Sequence, residues 1–335
     1  MRYFCLFVLI AAVAGCSSSQ PATSSFVPGR AAKESAQTHS NGAPPGSRQP
    51  TIYVLTTTGV LFFTPPYTRT GTLPGTANTR LAVTNGNIFL ANGPVIQEYV
   101  GRTKLGPKLT LPGNVQNLRA APNGALLAVV GTSLYAVSKP YTKERVIDTN
   151  LDSSSFNLFQ MLDDGILLIK VKNELLTSKA PYTSVQVASR NAVGTDSPTR
   201  SGIDRSTGIL YVRRTAYAFP YDRSQQPVWQ AIHQRGIRKC DSPNRGALAA
   251  GGNVLIANCV NLITVVYRPP QTTYIASYSR ERLSSQTIGS NGVIYAISSN
   301  MDGSHSLISY APAYETPVTI TRIPDDADVR ELLVQ

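Results

Sequence analysis

The chain has 335 residues, 42% of them hydrophobic and 15% charged, which gives length for one large domain and room for a single closed repeat unit rather than two domains. Lys and Arg number 31 against 19 Asp and Glu, a formal charge of +12 that either draws anionic partners from a distance or simply keeps the protein soluble. Nucleic acid is set aside as a partner, because no basic run is interleaved with aromatic residues into a binding stripe.

Residues 1–16 carry one positive charge at Arg2, an apolar run from Tyr3 to Ala14, and then small residues, the layout of an export signal. The run is too short to span a bilayer as a permanent helix. Its end, Val13-Ala14-Gly15-Cys16, resembles the bacterial lipobox. That resemblance implies cleavage before Cys16 and a diacylglycerol on its thiol, with ordinary cleavage after Ala14 or an uncleaved N-terminal anchor as the alternatives. Residues 17–50 are rich in Ser, Ala, Gly, Pro, Gln and Thr and short of bulky apolar side chains, so they are expected to form a flexible tether. The expected location is outside the cytoplasm, held to the membrane of the cell envelope by acyl chains. In the Gram-negative sorting pattern that the leader resembles, Asp after the lipidated Cys means inner-membrane retention; here the residue is Ser17, which implies the outer membrane where a host has one.

From residue 51 onward one phrase recurs about every forty residues: a Gly-containing turn, two apolar strands, then often Pro-Tyr-Thr. Asn85-Gly86, Asn123-Gly124, Asp164-Gly165, Thr207-Gly208, Gly251-Gly252 and Asn291-Gly292 mark its successive copies. Short β-branched and aromatic runs between Gly, Asn, Asp and Pro read as antiparallel strands. The expected fold is therefore all-β, a seven-bladed β-propeller over residues 51–335. The clearest unit has Leu118 to Ala121 as the inner strand A, then Ala125 to Val130, Ser133 to Val137 and Glu144 to Asp148 as B, C and D. Pro66-Tyr67-Thr68, Pro140-Tyr141-Thr142 and Pro181-Tyr182-Thr183 join C to D, with looser copies at Pro220-Tyr221-Asp222 and Pro269-Pro270-Gln271. One Tyr per blade at the same place predicts packing against the neighbouring blade.

The first blade lacks an inner strand, since Thr51 to Leu55, Val60 to Thr64 and Arg69 to Leu73 supply only B, C and D. Val329 to Val334 are expected to fill that place and close the ring from the C-terminus, leaving no free edge there. Cys5 lies in the leader and Cys16 is the lipid site, which leaves Cys240 and Cys259. The register brings these two to the same edge of one blade, and an exported domain permits a disulfide between them.

The Gly-led strand pairs with Pro-Tyr-Thr exits resemble the NHL-type and gluconolactonase-like β-propellers, over nearly all of residues 51–335. The gluconolactonase-like resemblance implies a divalent metal in the central channel, held by Glu, Asn and Asp from several blades. This sequence departs from that pattern: Asp204 and Glu331 are the only acids within the expected inner strands, so no metal and no cofactor is expected. His39 falls in the tether, His233 after a rim strand and His305 in a B to C turn, which places no Ser-His-Asp set by sequence. Residues 300–305 read as a polar loop without the alternating acids of a calcium loop.

Loops on one face of such a scaffold are where recognition resides. The register places Asn117, Asn157, Arg200, His233, Arg235, Arg245 and the 300–305 segment with His305 there, and Arg suits carboxylate, sulfate or phosphate. The expected function is a monomeric, non-catalytic binding or scaffolding module of the cell envelope, for an anionic polysaccharide or a protein partner. A lactonase-like hydrolase at the propeller mouth and a subunit of an envelope protein-assembly complex are the alternatives.

Overall fold

A computed structural model describes residues 49–335 except 152–155, 194–200, 213–214, 231–242, 252–253, 260–262, 268–273, 279–281, 290, 300–301, 313, 315 and 325–327. The expected signal segment, Cys16 and nearly all of the expected tether lie outside the described residues. Among those residues the strands form seven four-stranded antiparallel sheets, and the architecture is an all-β propeller.

The first sheet contains β1 (Ile52–Thr56), β2 (Gly59–Thr64) and β3 (Thr68–Pro74). The second has β4 (Arg80–Thr84), β5 (Asn87–Asn92), β6 (Val95–Val100) and β7 (Lys104–Thr110). The third has β8 (Val115–Ala120), β9 (Leu126–Val130), β10 (Ser133–Val137) and β11 (Glu144–Asp148). The fourth has β12 (Phe156–Met161), β13 (Leu167–Val171), β14 (Glu174–Ser178) and β15 (Gln186–Ser189). The fifth has β16 (Ser201–Asp204), β17 (Ile209–Val212), β18 (Thr215–Tyr217) and β19 (Trp229–Gln230). The sixth has β20 (Pro243–Gly251), β21 (Val254–Cys259), β22 (Ile263–Tyr267) and β23 (Tyr274–Tyr278). The seventh has β24 (Arg282–Ile288), β25 (Ile294–Ser299), β26 (His305–Tyr310) and β27 (Val318–Ile323).

The last strand, β28 (Val329–Val334), pairs antiparallel with β1, from Ile52 opposite Val334 to Thr56 opposite Val329. The strand that the N-terminus does not supply is thus taken from the other end of the chain. Backbone bonds extend the match beyond the strands, from Thr51 N to Gln335 O at 2.8 Å and from Gln335 N to Thr51 O at 3.0 Å.

Cores form between adjacent sheets because each sheet is apolar on both faces. Leu127 and Val129 of β9 pack with Phe159 of β12 and with Leu167 and Ile169 of β13, while Leu126 and Ala128, on the opposite face, pack with Phe89 of β5. Leu332 on β28 joins Ile52, Val54, Leu61 and Phe63 with Ile297 and Leu307, a cluster shared by the first and seventh sheets.

An inner strand begins earlier than expected at β8, which starts at Val115 rather than Leu118, and β12 and β24, from Phe156 and Arg282, likewise open on residues of mixed polarity. Their opening residues are polar or interrupted by bulges, between Val115 and Asn117 and between Leu283 and Ser285, so an apolar run marks only their second half.

The Pro-Tyr segments turn out to be latches. Pro66, Pro140, Pro181 and Pro220 follow cis peptide bonds, and the Tyr after each, Tyr67, Tyr141, Tyr182 and Tyr221, has positive φ. Each Tyr N–H donates to the carbonyl three residues back, as in Tyr141 N to Ser138 O at 2.8 Å, which is a turn with cis-Pro at its third position. The phenol then reaches the A to B turn of its own blade: Tyr141 Oη donates to Gly124 O at 2.8 Å and Tyr182 Oη to Gly165 O at 2.7 Å. Tyr221 Oη does the same to Gly208 O, and Tyr314 Oη to Gly292 O at 2.8 Å, although the residue next before Tyr314 is Ala rather than Pro. Those glycines have φ between +67° and +88°, which only Gly adopts without strain, so both partners of the latch are constrained by backbone shape.

The rings also cross to the preceding blade, as the repeat predicted: Phe89 meets Tyr141 edge to face at 4.8 Å, and Tyr67 meets Tyr295 at 6.3 Å. Burial is the first cause that raises the phenol pKa of Tyr67, Tyr141, Tyr182 and Tyr221, so each keeps its proton through the physiological range. Tyr182→Phe removes one such bond without altering packing. It is expected to lower stability by about 1–2 kcal/mol, read as a lower urea midpoint at unchanged slope.

Candidate functional site

The inner strands adjoin one another from sheet to sheet, β4 beside β8, β8 beside β12, β16 beside β20, β20 beside β24 and β24 beside β28. They bring together side chains that are far apart in sequence. Arg119 on β8 forms an ion pair with Glu331 on β28, Nη1 to Oε1 at 3.5 Å, each side chain 28% exposed. Arg80 on β4 lies in the same field. Its burial comes first and the charge of Arg330 next in lowering its pKa; Glu331 opposes them, and Arg119 adds to the lowering. Arg80 therefore feels the charges of Arg119, Arg330 and Glu331, while the Glu331 carboxylate itself is paired with Arg119.

Two of the three arginines are held rigidly by main-chain oxygens. Arg80 Nε donates to Gln116 O on β8 at 2.6 Å and its Nη1 to Thr79 O at 3.2 Å. Arg119 Nε donates to Phe159 O on β12 at 3.2 Å and its Nη1 to Leu118 O at 2.9 Å. Each arginine thus bridges its own strand and the next blade, and among the described residues neither Nη2 has a hydrogen bond. Arg330 is exposed. Asn117, an expected ligand residue, is half-buried two positions before Arg119 on the same face of β8.

Part of the basic surplus has a structural use. Arg145 donates to Pro181 O and Tyr182 O of the next blade, Arg223 Nε to Ala192 O at 3.2 Å, and Arg102 Nε to Tyr53 Oη at 3.1 Å. Arg205 pairs with Asp163 at 2.9 Å, joining the A to B turns of the fourth and fifth sheets. A planar fork with five donors suits such stitching better than a lysine would.

The remaining expected site residues are scattered or undescribed. His305 opens β26, third strand of its sheet, with Nδ1 3.0 Å from Ser299 Oγ. Beside it Asp302 Oδ1 accepts from Ser304 Oγ at 2.6 Å and from Ser304 N at 2.9 Å, bonds that hold its pKa low. This loop is a self-satisfied polar turn. Asn157 and Arg245 lie in β12 and β20, and Cys259 ends β21 with its backbone opposite Pro243, but their side chains lie outside the described ones. Arg200, His233, Arg235 and Cys240 lie outside the described residues altogether.

Asp204, one of the two expected inner-strand acids, is buried at the end of β16. Its Oδ1 accepts from Ser206 Oγ at 2.6 Å, while Oδ2 has no partner among the described residues. Among those residues no three His, Cys, Asp or Glu side chains converge. Sequence reasoning passed over Arg80, Arg119 and Arg330 as recognition residues because it sought them in loops. The available signal was a charge on a strand expected to be innermost.

No protein-family model matches the chain, and no curated protein does. Solved structures do share its fold. A candidate 6-phosphogluconolactonase from Bacteroides fragilis superposes with a TM-score of 0.55 at 11% identity, over 87% of this chain and 99% of that one. The β-propeller domain of Cps50 (Swd1) from Myceliophteria thermophila does so with a TM-score of 0.50 at 12% identity, over 76% of this chain and 90% of that one. At such identities the likeness extends to the fold alone.

Proposed function

We propose that this chain is an exported lipoprotein, acylated at Cys16, whose seven sheets close one monomeric seven-bladed ring that binds an anionic ligand of the cell envelope without catalysing a reaction. The observation that carries the reading is the anchoring of Arg80 and Arg119 on the adjoining inner strands β4 and β8, with only the partly exposed Glu331 carboxylate paired to Arg119. Guanidinium groups already fixed by backbone carbonyls bind an oxyanion with little further loss of side-chain freedom. The export layout of residues 1–16 and the tether-like composition of residues 17–50 support the location. A disulfide between Cys240 and Cys259 belongs to the same reading, since an oxidising compartment would permit it.

The test uses the full chain, purified in detergent from a bacterial host that acylates lipoproteins. Mass spectrometry is expected to find a diacylglyceryl Cys16 as the first residue. Isothermal titration with isolated envelope polysaccharide is expected to show saturable binding that weakens as salt rises, because paired charges at a half-exposed site are screened. Turnover of lactones, lost on chelation and restored by a divalent metal, would replace this reading with that of a hydrolase. A defined protein recovered by crosslinking, with no polysaccharide bound, would favour an assembly subunit.

A further inference from the structure

We infer that Glu331 sits where the ligand's own anionic group binds, so that a carboxylate or phosphate borne by the ligand displaces Glu331 from Arg119 and is taken by Arg119 and Arg80 together. The inference rests on the binding reading above and adds to it a site, an exchange and a ligand group.

The geometry favours exchange over a permanent bridge. The Arg119–Glu331 contact is a single one at 3.5 Å, long against the roughly 2.7–2.9 Å of a strong charge-assisted bond, and both side chains are partly exposed. An ion pair of that kind is weak. The arginines are held far more firmly than the carboxylate: Arg80 and Arg119 each donate from Nε across to the neighbouring inner strand, and no hydrogen bond to Glu331 is found among the described residues. One carboxylate against the guanidinium groups of Arg80 and Arg119 also leaves an excess of one positive charge, which a second anionic oxygen would offset. Glu331 thus acts as an internal occupant, offsetting part of the positive charge in the free protein and giving way to a group of the same chemistry. Asn117, on the same face of β8 as Arg119, adds an amide able to donate to or accept from a neighbouring hydroxyl.

The experiment titrates the full chain with two probes, an oligogalacturonate for the carboxylate source and inorganic phosphate for the other. Wild type, Arg119→Met, Arg119→Lys and Glu331→Gln are compared. Glu331→Gln is expected to tighten binding about two- to fivefold by removing the competitor, a gain that a purely structural role for Glu331 would not produce. Arg119→Met is expected to weaken it about tenfold or more, and Arg119→Lys to recover part of that loss. The probe that shows this pattern identifies the anionic group. If Arg119→Met fails to fold, the Glu331→Gln gain carries the test alone. Equal affinities for wild type and Glu331→Gln would overturn the exchange. Equal affinities for wild type and a folded Arg119→Met would place the ligand elsewhere while leaving the binding function intact. If neither probe binds wild type or Glu331→Gln the inference fails, and the broader reading fails with it only when envelope polysaccharide does not bind either.

Discussion

Removal of residues 328–335 is expected to abolish the cooperative thermal transition. The deletion takes away β28 and with it every inter-strand bond on the inner edge of β1, together with the exchange of bonds between Thr51 and Gln335 and the bond from Thr57 N to Asp328 O at 3.0 Å. It also empties the place of Leu332, which is 6% exposed in the cluster shared by the first and seventh sheets. A Leu to Ala change at such a site costs about 2–5 kcal/mol by itself. Loss of the whole strand adds unpaired backbone, against a net stability of about 5–15 kcal/mol for an ordinary domain. Calorimetry and far-ultraviolet circular dichroism are expected to show a broad, low-enthalpy change in the shortened chain. A sharp transition at the wild-type temperature would mean that the closing strand contributes nothing essential.

The largest single-residue effect is expected at Phe89. This side chain is fully buried on β5, facing the third blade, and its ring meets Tyr141 edge to face with centroids 4.8 Å apart. Phe89→Ala removes one wall of the site that positions the Tyr141 latch. The expected loss is about 3–5 kcal/mol for the cavity, including about 0.5–1.5 kcal/mol for the ring pair. Because Tyr141 relies on Phe89 for its packing, Phe89→Ala and Tyr141→Phe should not add independently. A double-mutant cycle in urea is expected to give a coupling energy of at least about 0.5 kcal/mol. Additivity would show that the latch and the ring contact stabilise separate parts of the protein.

Both effects trace to residues whose role was partly visible in the sequence. Asn-Gly turns and Pro-Tyr-Thr exits are chemically restrictive, and the strands beside them were placed within a residue or so: β10 and β11 coincide with the expected Ser133 to Val137 and Glu144 to Asp148. The fate of Val329 to Val334 followed from counting strands. Local pattern said less about the inner strands, because residues such as Gln116 and Asn117 mix polarity with β structure, and an apolar run finds only the half that faces a core. It also could not foresee the Tyr hydroxyl bonds to Gly124, Gly165 and Gly208, which depend on how two turns of one sheet approach each other. The arginine cluster was hidden for a related reason. Arg80, Arg119 and Glu331 meet only once the order of sheets around the axis is known, and no spacing within one repeat encodes that order. Register named Asn117 and His305 alike; the first lies on the inner strand of Arg119, the second opens β26 with Nδ1 beside Ser299 Oγ.

Pairing between β1 and β28 also has a consequence for how the protein is made. While a ribosome is still adding the intervening residues, β1 has no neighbour on one side, and a bare strand edge of Ile, Tyr, Val and Leu is an invitation to pair with another nascent copy. Few contacts are more distant along the chain, so this seam closes late and slowly. Yield should therefore fall as the concentration of unfinished chains rises.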